Sequence, residues 1–319
     1  MTEIAYETDL GAMLHSTVED ALESRVLQEL EGKIDLLFTS PPFPLTSKKT
    51  YGNLEGQKYL DWLSGLAKRF ETLLSPTGSM VIEIGNAWEP GAPVMQTWPM
   101  RALLGILDST NLHLCQTFVC HNPARLPGPA TWVNIQRIRV KDSYTNIWWM
   151  SPSQRPKADN RRVLTEYSPG MKRLLKTQTY NSGTRPSGHH INDTSFLTEN
   201  KGSIPPNGLN IEEGDPYAVN FLEIANTSSR DNYEKYCKSS GLEVHPARMQ
   251  APLAEFFIRF LTEPGDLVFD PFAGSNTTGA KAEELGRRWI ATEPEFDYVA
   301  GSVARFNNAR DPVTKANTD

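Results

Sequence analysis

The sequence predicts an α/β fold in which a mostly parallel sheet carries helices on both faces and an irregular insert interrupts the pattern. Three observations indicate it. Short apolar runs alternate with amphipathic segments over residues 34–150, and the alternation resumes over residues 253–306. Between them, residues 151–244 are rich in Pro, Gly, Asn, Ser and Thr and show few periodic stretches. A glycine-containing loop directly follows an apolar run at residues 267–279.

The elements of the first half follow one another in a regular order. We expect strands at Ile34–Phe38, Met80–Ile84 and His113–Cys120, helices at Lys58–Leu74 and Met100–Asp108, a turn at "SPTG" (75–78), and a further short apolar run at 145–151. Strands that alternate with helices in this way indicate parallel pairing with helical crossovers.

After the irregular segment, regular elements return. The predicted helices are Leu253–Leu261, Thr277–Leu285 and one near Phe296–Phe306, and the predicted strands are Leu267–Phe269 and Trp289–Thr292. A structureless stretch as long as 151–244 is rarely mere linker inside a compact protein. We therefore expect it to carry a function of its own.

The composition narrows the class of protein. Apolar residues make up 39% and charged residues 22% of the chain, which is typical of a soluble globular protein. No apolar run approaches the roughly 18 residues of a membrane span, and the acidic first twenty residues lack the apolar core of a secretory signal. Cys115, Cys120 and Cys237 are too scattered for a disulfide framework or a zinc site. We expect a cytoplasmic protein without a metal or a membrane partner.

The charge is unevenly distributed along the chain. The net charge is −6, but residues 121–190 hold 12 Lys and Arg against 3 Asp and Glu, while both flanking segments are acidic. A basic segment of this kind is typical of a surface that binds a polyanion. A solvated basic face is the alternative interpretation.

The loop "LVFDPFAGSNTTG" (267–279) indicates a ligand site. Small residues let the backbone approach a ligand, and unpaired N–H groups at the start of the next helix favour an anionic group. Glu293 ends the following strand, 19 residues after Gly274, where an acid bridges ribose hydroxyls in nucleotide-type folds. The loop matches neither phosphate-binding fingerprint, so a ligand with a carboxylate and a ribose but no phosphates suits it. An ordinary tight turn is the alternative.

Several motifs resemble those of S-adenosylmethionine-dependent amino-methyltransferases that act on DNA. "DPFAGSNTTG" (270–279) resembles their motif I, "TSPPF" (39–43) their catalytic motif IV, and "HPARMQAPLAEFFIRFLTEPGD" (245–266) their motif X. "GAMLHSTVEDAL" (11–22) and "MVIEIGN" (80–86) resemble the motifs on either side of motif IV. "RPSGHHI" with "GSIPPN" (185–207) and "NTSSRDNYEKYC" (226–237) are similar to cytosine-N4 enzymes of the PvuII type.

The resemblance covers nearly the whole chain and implies its organisation. The catalytic motif precedes the cofactor motif, which is the permuted, β-class order. Residues 1–150 and 245–319 would form a Rossmann-like methyltransferase domain, and residues 151–244 the target-recognition region. The implied cofactor is S-adenosylmethionine, and the implied partner is double-stranded DNA. A restriction endonuclease acting on the same site without a stable complex, and a monomeric or homodimeric state, are further expectations.

The resemblance also assigns the cofactor-binding residues. They come from motif I, the acid of the following strand and motif X: Asp270, Phe272, Gly274, Ser275, Asn276, Thr277, Thr278, Glu293, His245 and Arg248. Asn276 departs from the glycine usual in the wider family. Because asparagine tolerates a left-handed backbone, binding should survive the change.

Motif IV explains why a strand ends on two prolines. The resemblance implies that the Ser40 hydroxyl and the Pro41 carbonyl bond the exocyclic amine of a flipped-out cytosine, while Pro42 keeps the turn rigid and Phe43 stacks on the base. Serine is not a base, so Glu83 is the predicted proton acceptor. An outward-facing or salt-bridged glutamate is the alternative for Glu83.

The predicted DNA contacts fall into two groups. Lys48 and Lys49 follow motif IV and are expected to meet phosphates. Side chains of the irregular segment are expected to read base edges: Arg185, Ser187, His189 and His190.

The residues bear on three rival activities. An adenine-N6 methyltransferase of the same fold would normally carry Asp or Asn in place of Ser40, and it is the main alternative. A cytosine-C5 enzyme is disfavoured because none of the three cysteines follows a proline. A DNA-binding module without catalysis is disfavoured by the intact "SPPF".

Overall fold

A computed structural model describes residues 2–42, 54, 56–122, 125–180, 182–191, 197–210 and 232–310. The strands in these ranges are β1 (Glu3–Glu7), β2 (Gly11–His15), β3 (Ile34–Thr39), β4 (Leu74–Gly85), β5 (His113–His121), β6 (Tyr144–Ser151), β7 (Gly183–Thr184), β8 (His190–Ile191), β9 (Gly208–Asn210), β10 (Leu267–Asp270) and β11 (Arg288–Glu293). The helices are α1 (Val18–Glu23), α2 (Arg25–Gln28), α3 (Gly56–Leu73), α4 (Trp98–Ser109), α5 (Pro169–Thr177), α6 (Asn232–Ser240), α7 (Ala251–Leu261), α8 (Thr277–Glu284) and α9 (Phe296–Ser302).

Nine of these strands form one sheet in the order β1-β2-β11-β10-β3-β4-β6-β5-β9. The five strands from β2 to β4 pair in parallel, which confirms the predicted mostly parallel sheet. β6 enters antiparallel between β4 and β5. Because parallel strands point the same way, the carboxyl ends of β2, β11, β10, β3 and β4 all lie at one edge of the sheet.

Helices cover both faces of this sheet, and the alternation of side chains along each strand supplies both cores. On β3, Leu37 faces the core beneath α1, α3 and α4, and Leu36 faces the core beneath α7 and α8. On β10, Phe269 faces the first of these cores and Val268 faces the second. Since both faces are buried, the central strands read as continuous apolar runs.

The predicted turn at residues 75–78 is wrong, because this segment is part of β4. Its pairing with β3 is irregular: Ile34 lies opposite Leu74 and Leu36 opposite Ser79, so β4 bulges between these points. A Cβ on Gly78 would lie 2.6 Å from the Ile34 carbonyl oxygen. The glycine thus permits the close approach that keeps this turn-like sequence beside β3.

The segment 151–244 is less irregular than expected. It contains α5 and α6, the two-stranded β7–β8 hairpin, and β9, which pairs in parallel with β5 at the edge of the main sheet. α6 packs closely on α9, since a Cβ on Gly301 would lie 2.5 Å from the Cys237 sulfur. The division of the chain at residue 244 remains a prediction, although α6 adjoins the cofactor-motif side.

Candidate active site

A cavity of about 460 Å³ opens where β3, β10 and β11 end. Its wall combines the residues that follow β3 with the terminal acids of the other two strands. These residues are Ser40, Pro41, Pro42, Asp270 and Glu293. The parallel sheet therefore brings the segment that follows β3 together with the ends of two strands that lie more than 200 residues further along the sequence.

Asp270 joins the end of β3 to the glycine loop. Its Oδ1 accepts a hydrogen bond from the Thr39 hydroxyl at 2.7 Å and another from the Phe272 backbone N–H at 3.1 Å. Burial raises the pKa of Asp270, and the bond from Thr39 opposes that shift. The bond from Thr39 holds the proline turn and the loop in one fixed arrangement.

The glycine loop requires a residue without a side chain at Gly274. Its φ is +51°, and a Cβ there would lie 2.8 Å from Nε2 of His245. The Gly274 N–H donates to Oε2 of Glu293 at 2.9 Å, while Oε1 of Glu293 accepts from the Glu295 N–H at 3.1 Å. The acid of β11 is thus bonded directly to the loop. The contact with ribose hydroxyls that its 19-residue spacing from Gly274 predicts stays a prediction.

Glu293 is an unusual carboxyl group. It is 7% exposed, and burial raises its pKa to about 7, with smaller contributions from the nearby acids Glu295 and Asp270. The two backbone N–H donors oppose this shift without cancelling it. Near neutral pH the group is therefore poised between its neutral and charged forms.

Asn276 confirms the expected left-handed backbone, with φ of +53°. Its Oδ1 accepts from the Gly279 N–H at 3.1 Å and caps α8, and its Nδ2 donates to the Tyr6 hydroxyl at 3.0 Å. Asn276, Thr277 and Thr278 are buried and are not among the residues of the cavity wall. The side chain of Asn276 therefore supports the shape of the loop without being part of the cavity wall.

Of the two candidates in "HPAR", His245 reaches the cavity wall. Its Nδ1 accepts from the Ala247 N–H at 3.2 Å, and its ring lies 4.6 Å from that of Tyr298. The other candidate, Arg248, forms an ion pair with Glu234 of α6 at 3.4 Å and is not part of the wall.

Only some of the predicted catalytic residues line the cavity. Ser40, Pro41 and Pro42 line the cavity, and Phe43 lies outside the described residues. Glu83 follows Ile82, which is the pairing partner of Thr39. Its carboxylate accepts from the Thr145 hydroxyl at 2.8 Å, and it does not line the cavity. Burial raises its pKa, against the opposing effects of Thr145 and Arg125.

The predicted base-reading residues lie on the β7–β8 hairpin. The Arg185 N–H donates to the His189 carbonyl at 2.8 Å and closes the turn. Ser187, His189 and His190 are exposed. Lys48 and Lys49 lie outside the described residues, so the phosphate contacts predicted for them stay predictions.

The sequence interpretation missed several residues of the wall. They come from the start of α1, from α3, from the segment after His245 and from α9, namely Thr17, Glu19, Tyr59, Trp62, Met249 and Tyr298. The stretch 11–22 gave a signal for the first two, because it resembles a motif beside the catalytic one. α3 gave none, since aromatic residues at helical spacing look the same whether they face a core or a cavity.

The wall fits the cofactor that the motifs imply. The loop offers a glycine where a side chain could not stand, the β11 acid offers a carboxylate for hydroxyl groups, and aromatic rings offer flat apolar contact. Within the described ranges, no cluster of three or more His, Cys, Asp or Glu is placed to hold a metal ion. No helix there is both long and apolar enough to cross a membrane.

Comparisons with known proteins agree with this geometry. The family model described as DNA methylase, for N6 and N4 enzymes, matches residues 34–304. The Type II methyltransferase M.PvuII of Proteus hauseri is 43% identical over 304 residues, which are 95% of this chain and 85% of that protein. The Type II methyltransferase M.BglII of Bacillus subtilis is 22% identical over 273 residues, covering 84% of this chain and 62% of that protein.

Solved structures show the same similarity. The PvuII DNA methyltransferase, described as cytosine-N4-specific, superposes with a TM-score of 0.73 and 36% identity, covering 99% of this chain and 92% of that one. The complex of M1.HpyAVI with S-adenosylmethionine superposes with a TM-score of 0.53 and 18% identity, covering 93% of this chain and 100% of that one. At that identity the second match shows the fold alone.

Proposed function

The chain belongs to the family of N6 and N4 DNA methylases, and from this premise we propose that it methylates the N4 amine of cytosine in double-stranded DNA with S-adenosylmethionine. The methyl group passes to a flipped-out base, because an amine inside the duplex is out of reach of a buried site. The observation that carries the proposal is the single cavity that joins the Ser-Pro-Pro turn to the glycine loop and its acid.

The cofactor would be held by the residues that end β10 and β11. Glu293 presents a carboxylate to ribose hydroxyls, and the loop at Gly274 allows the ligand close to the backbone. When bound, S-adenosylmethionine supplies an electrophilic methyl group on its sulfonium. Asp270, held by Thr39, keeps this part of the wall in register with the proline turn.

The proline turn acts on the nucleophile. The cytosine amine is a poor nucleophile because its lone pair is delocalised into the ring. The oxygens of the Ser40 hydroxyl and the Pro41 carbonyl accept hydrogen bonds from its two N–H groups and draw the nitrogen towards tetrahedral geometry. Neither proline has an N–H, and each has a fixed φ, so these acceptors need little reorganisation during the reaction.

The amine must also lose a proton. Glu83 is the proposed acceptor, and the support for this is its buried carboxyl with a raised pKa, one strand away from Ser40. Its carboxylate accepts from Thr145 and does not line the cavity, so the proton would have to pass through an intermediate group. Glu83→Gln should lower the single-turnover methylation rate and leave cofactor affinity unchanged; an unchanged rate would remove Glu83 from the reaction.

DNA specificity is assigned to residues 151–244 in this proposal. The excess of Lys and Arg over Asp and Glu in residues 121–190 supports a polyanionic partner. The exposure of the β7–β8 hairpin supports contact with base edges. We further propose cytoplasmic action beside a restriction endonuclease of the same specificity, with the enzyme working as a monomer or a homodimer.

The experiment is methylation of duplex DNA with labelled cofactor, followed by mass spectrometry of the released nucleosides. N4-methylcytosine is the expected product, and Ser40→Ala should lose most of the activity while retaining cofactor binding. If N6-methyladenine were the sole product, the proposal would be wrong and the protein would be an adenine-N6 methyltransferase of the same family. Binding of DNA without any methyl transfer would leave only a binding module.

A further inference from the structure

The loop that joins β5 to β6 leaves the sheet at the edge where the cavity opens. β4 and β5 both pair antiparallel with β6, so these two strands run in the same direction as β3 and end at the same edge. Residues 125–143 are here called the β5–β6 loop, and none of them lines the cavity. The loop therefore lies at the cavity edge of the sheet without being part of the wall.

The β5–β6 loop is held in a defined shape and reaches towards the Ser-Pro-Pro turn. The guanidinium carbon of Arg139 lies 3.1 Å from the ring centroid of Trp88, in the segment that follows β4. Nη2 of Arg139 also donates to the Gly128 carbonyl at 3.0 Å, and at the base of the loop Arg125 pairs with Asp142 at 3.2 Å. Because β4 is the neighbour of β3, the contact with Trp88 brings the loop next to the strand that ends in the turn.

The same loop exposes aliphatic side chains. Ile138 and Val140, which flank Arg139, are 58% and 85% exposed, and Leu126 and Ile135 are exposed as well. Exposed aliphatic groups are unfavourable in water, and several of them on one loop indicate a contact surface. Because Arg139 fixes this part of the loop, the exposure of Ile138 and Val140 belongs to the folded surface.

The charge of the loop indicates the kind of partner. Residues 125–142 contain one acidic residue, Asp142, and four basic ones, namely Arg125, Arg137, Arg139 and Lys141. Arg137 is exposed, and its side chain has no ion pair within the described ranges. Its φ of +54° is uncommon for a residue other than Gly or Asn, and such backbones are enriched at functional sites. Positive charge beside aliphatic groups suits DNA, which offers phosphates to arginine and bases to apolar side chains.

We propose that the β5–β6 loop contacts DNA beside the cavity, with Arg137 at a phosphate and with Ile138 and Val140 in the gap that the flipped cytosine leaves in the base stack. This rests on the proposed function, because only base flipping opens such a gap. Aliphatic side chains that enter a base step stabilise its unstacked form. Their burial offsets part of the cost of unstacking, so the loop acts on the flipping equilibrium and leaves the methyl transfer itself to the cavity.

The first test measures the single-turnover methylation rate at saturating enzyme, on a duplex that sequencing has shown the wild type to methylate. The double variant Ile138→Ala, Val140→Ala should react about 10-fold more slowly, because less of the cytosine is flipped. Leu104→Ala is the control, since Leu104 is 59% exposed but lies on α4. It should react at the wild-type rate.

A mispaired target separates a role in flipping from a structural role. When adenine replaces the guanine opposite the target cytosine, the cytosine leaves the stack at little cost. On this duplex the rate of the double variant should return to within about 2-fold of the wild-type rate. The melting temperature of the ligand-free double variant should equal that of the wild type, because the two side chains are exposed.

The second test concerns the phosphate contact. Arg137→Gln should weaken binding to all duplexes and reduce the slope of log affinity against log salt by about 1. Arg161→Gln is the matched control, because Arg161 is exposed but follows β6, which ends at the opposite edge of the sheet. It should leave the slope unchanged.

Several outcomes would overturn the proposal. A wild-type rate in the double variant would show that the aliphatic side chains do not assist flipping, and so would a slow rate that mispairing does not restore. An unchanged salt slope in Arg137→Gln would remove the phosphate contact. If the double variant changed only the oligomeric state in sedimentation, the surface would belong to a second copy of the chain. Failure of the wild type to methylate or bind any duplex would instead overturn the proposed function.

Discussion

Two glycine turns of this molecule have similar backbones and opposite surroundings. Gly274 in the cofactor loop has φ of +51°, and Gly188 in the β7–β8 hairpin has φ of +80°. A Cβ at Gly274 would lie 2.8 Å from His245, whereas a Cβ at Gly188 would meet nothing within 4 Å. The residues after Gly274 are buried, and those beside Gly188 are exposed.

The difference separates the cavity wall from the surface that is proposed to contact DNA. The loop at Gly274 is bonded to the protein through Glu293, through Asn276 and through Arg305, whose Nε donates to the Ser275 carbonyl at 2.6 Å. Such a loop presents one fixed shape and suits one small ligand. The hairpin is closed by its own backbone, which would let its side chains adjust to DNA if they contact it as proposed.

The largest effect is expected from placing the same side chain in both turns. Gly274→Ala adds left-handed strain and displaces His245, together on the order of 3 kcal/mol or more. Affinity for S-adenosylhomocysteine should fall by about 100-fold or beyond. Gly188→Ala adds similar strain in open space and should leave that affinity unchanged, as measured by calorimetry.

The contrast between the two glycine turns would be contradicted if the two alanine variants changed cofactor affinity alike. Equal loss of cofactor affinity would mean that the hairpin and the cavity are coupled. Wild-type affinity in Gly274→Ala would mean that the cofactor does not approach this loop.

An intermediate effect is expected at Glu293. Glu293→Ala should weaken binding of S-adenosylhomocysteine at pH 8 by about 1.5–3 kcal/mol, because the acceptor proposed for the ribose hydroxyls is lost. DNA affinity should stay the same. Calorimetry that finds unchanged cofactor affinity would remove Glu293 from the site.

Glu293 also makes the stability of the fold depend on pH. Its pKa is about 7 when folded and returns to its ordinary value near 4.5 on unfolding. Between these values the folded state holds a proton that the unfolded state releases, so the free energy of unfolding falls as the pH rises from 4.5 to 7. Urea unfolding should find Glu293→Gln more stable than wild type by up to about 3 kcal/mol at pH 8 and equal near pH 4. A constant difference across this range would contradict the raised pKa.

The smallest effect is expected in the hairpin, and it should concern sequence preference. If Arg185 reads a base edge, Arg185→Ala should reduce discrimination at one base pair by about 1–3 kcal/mol. Arg161, an exposed arginine of the same basic segment, pairs with Asp159 at 2.8 Å. Arg161→Ala should therefore change binding little.

Binding isotherms on cognate and single-mismatch duplexes at several salt concentrations measure this prediction. Equal weakening of all duplexes by Arg185→Ala, with a shallower salt dependence, would point to a phosphate contact. The assignment of base reading to this arginine would then fail.

The buried strands and the cofactor loop were predictable from local pattern. β3 and β10 each end within one residue of the expected position, because a run of apolar residues between turn formers has few other solutions. The turn predicted at 75–78 failed, since a glycine that fits against Ile34 lets turn-forming residues remain in a strand. The sequence did not predict the α5 and α6 helices, because in short segments with many polar residues the helical spacing of apolar residues is hard to recognise.

The sequence by itself determined the chemistry of the site: a hydroxyl before two prolines, a glycine loop, and an acid at the end of the next strand. These are short-range patterns, and each residue type carries its own conformational or acid–base property. Only the tertiary structure decided which side chains share the cavity. It kept Arg248 and Glu83 out of the wall, made Asn276 the cap of α8, and brought Trp62 of α3 against Phe272 of the cofactor loop. Such placements depend on packing between distant elements, which no local pattern encodes.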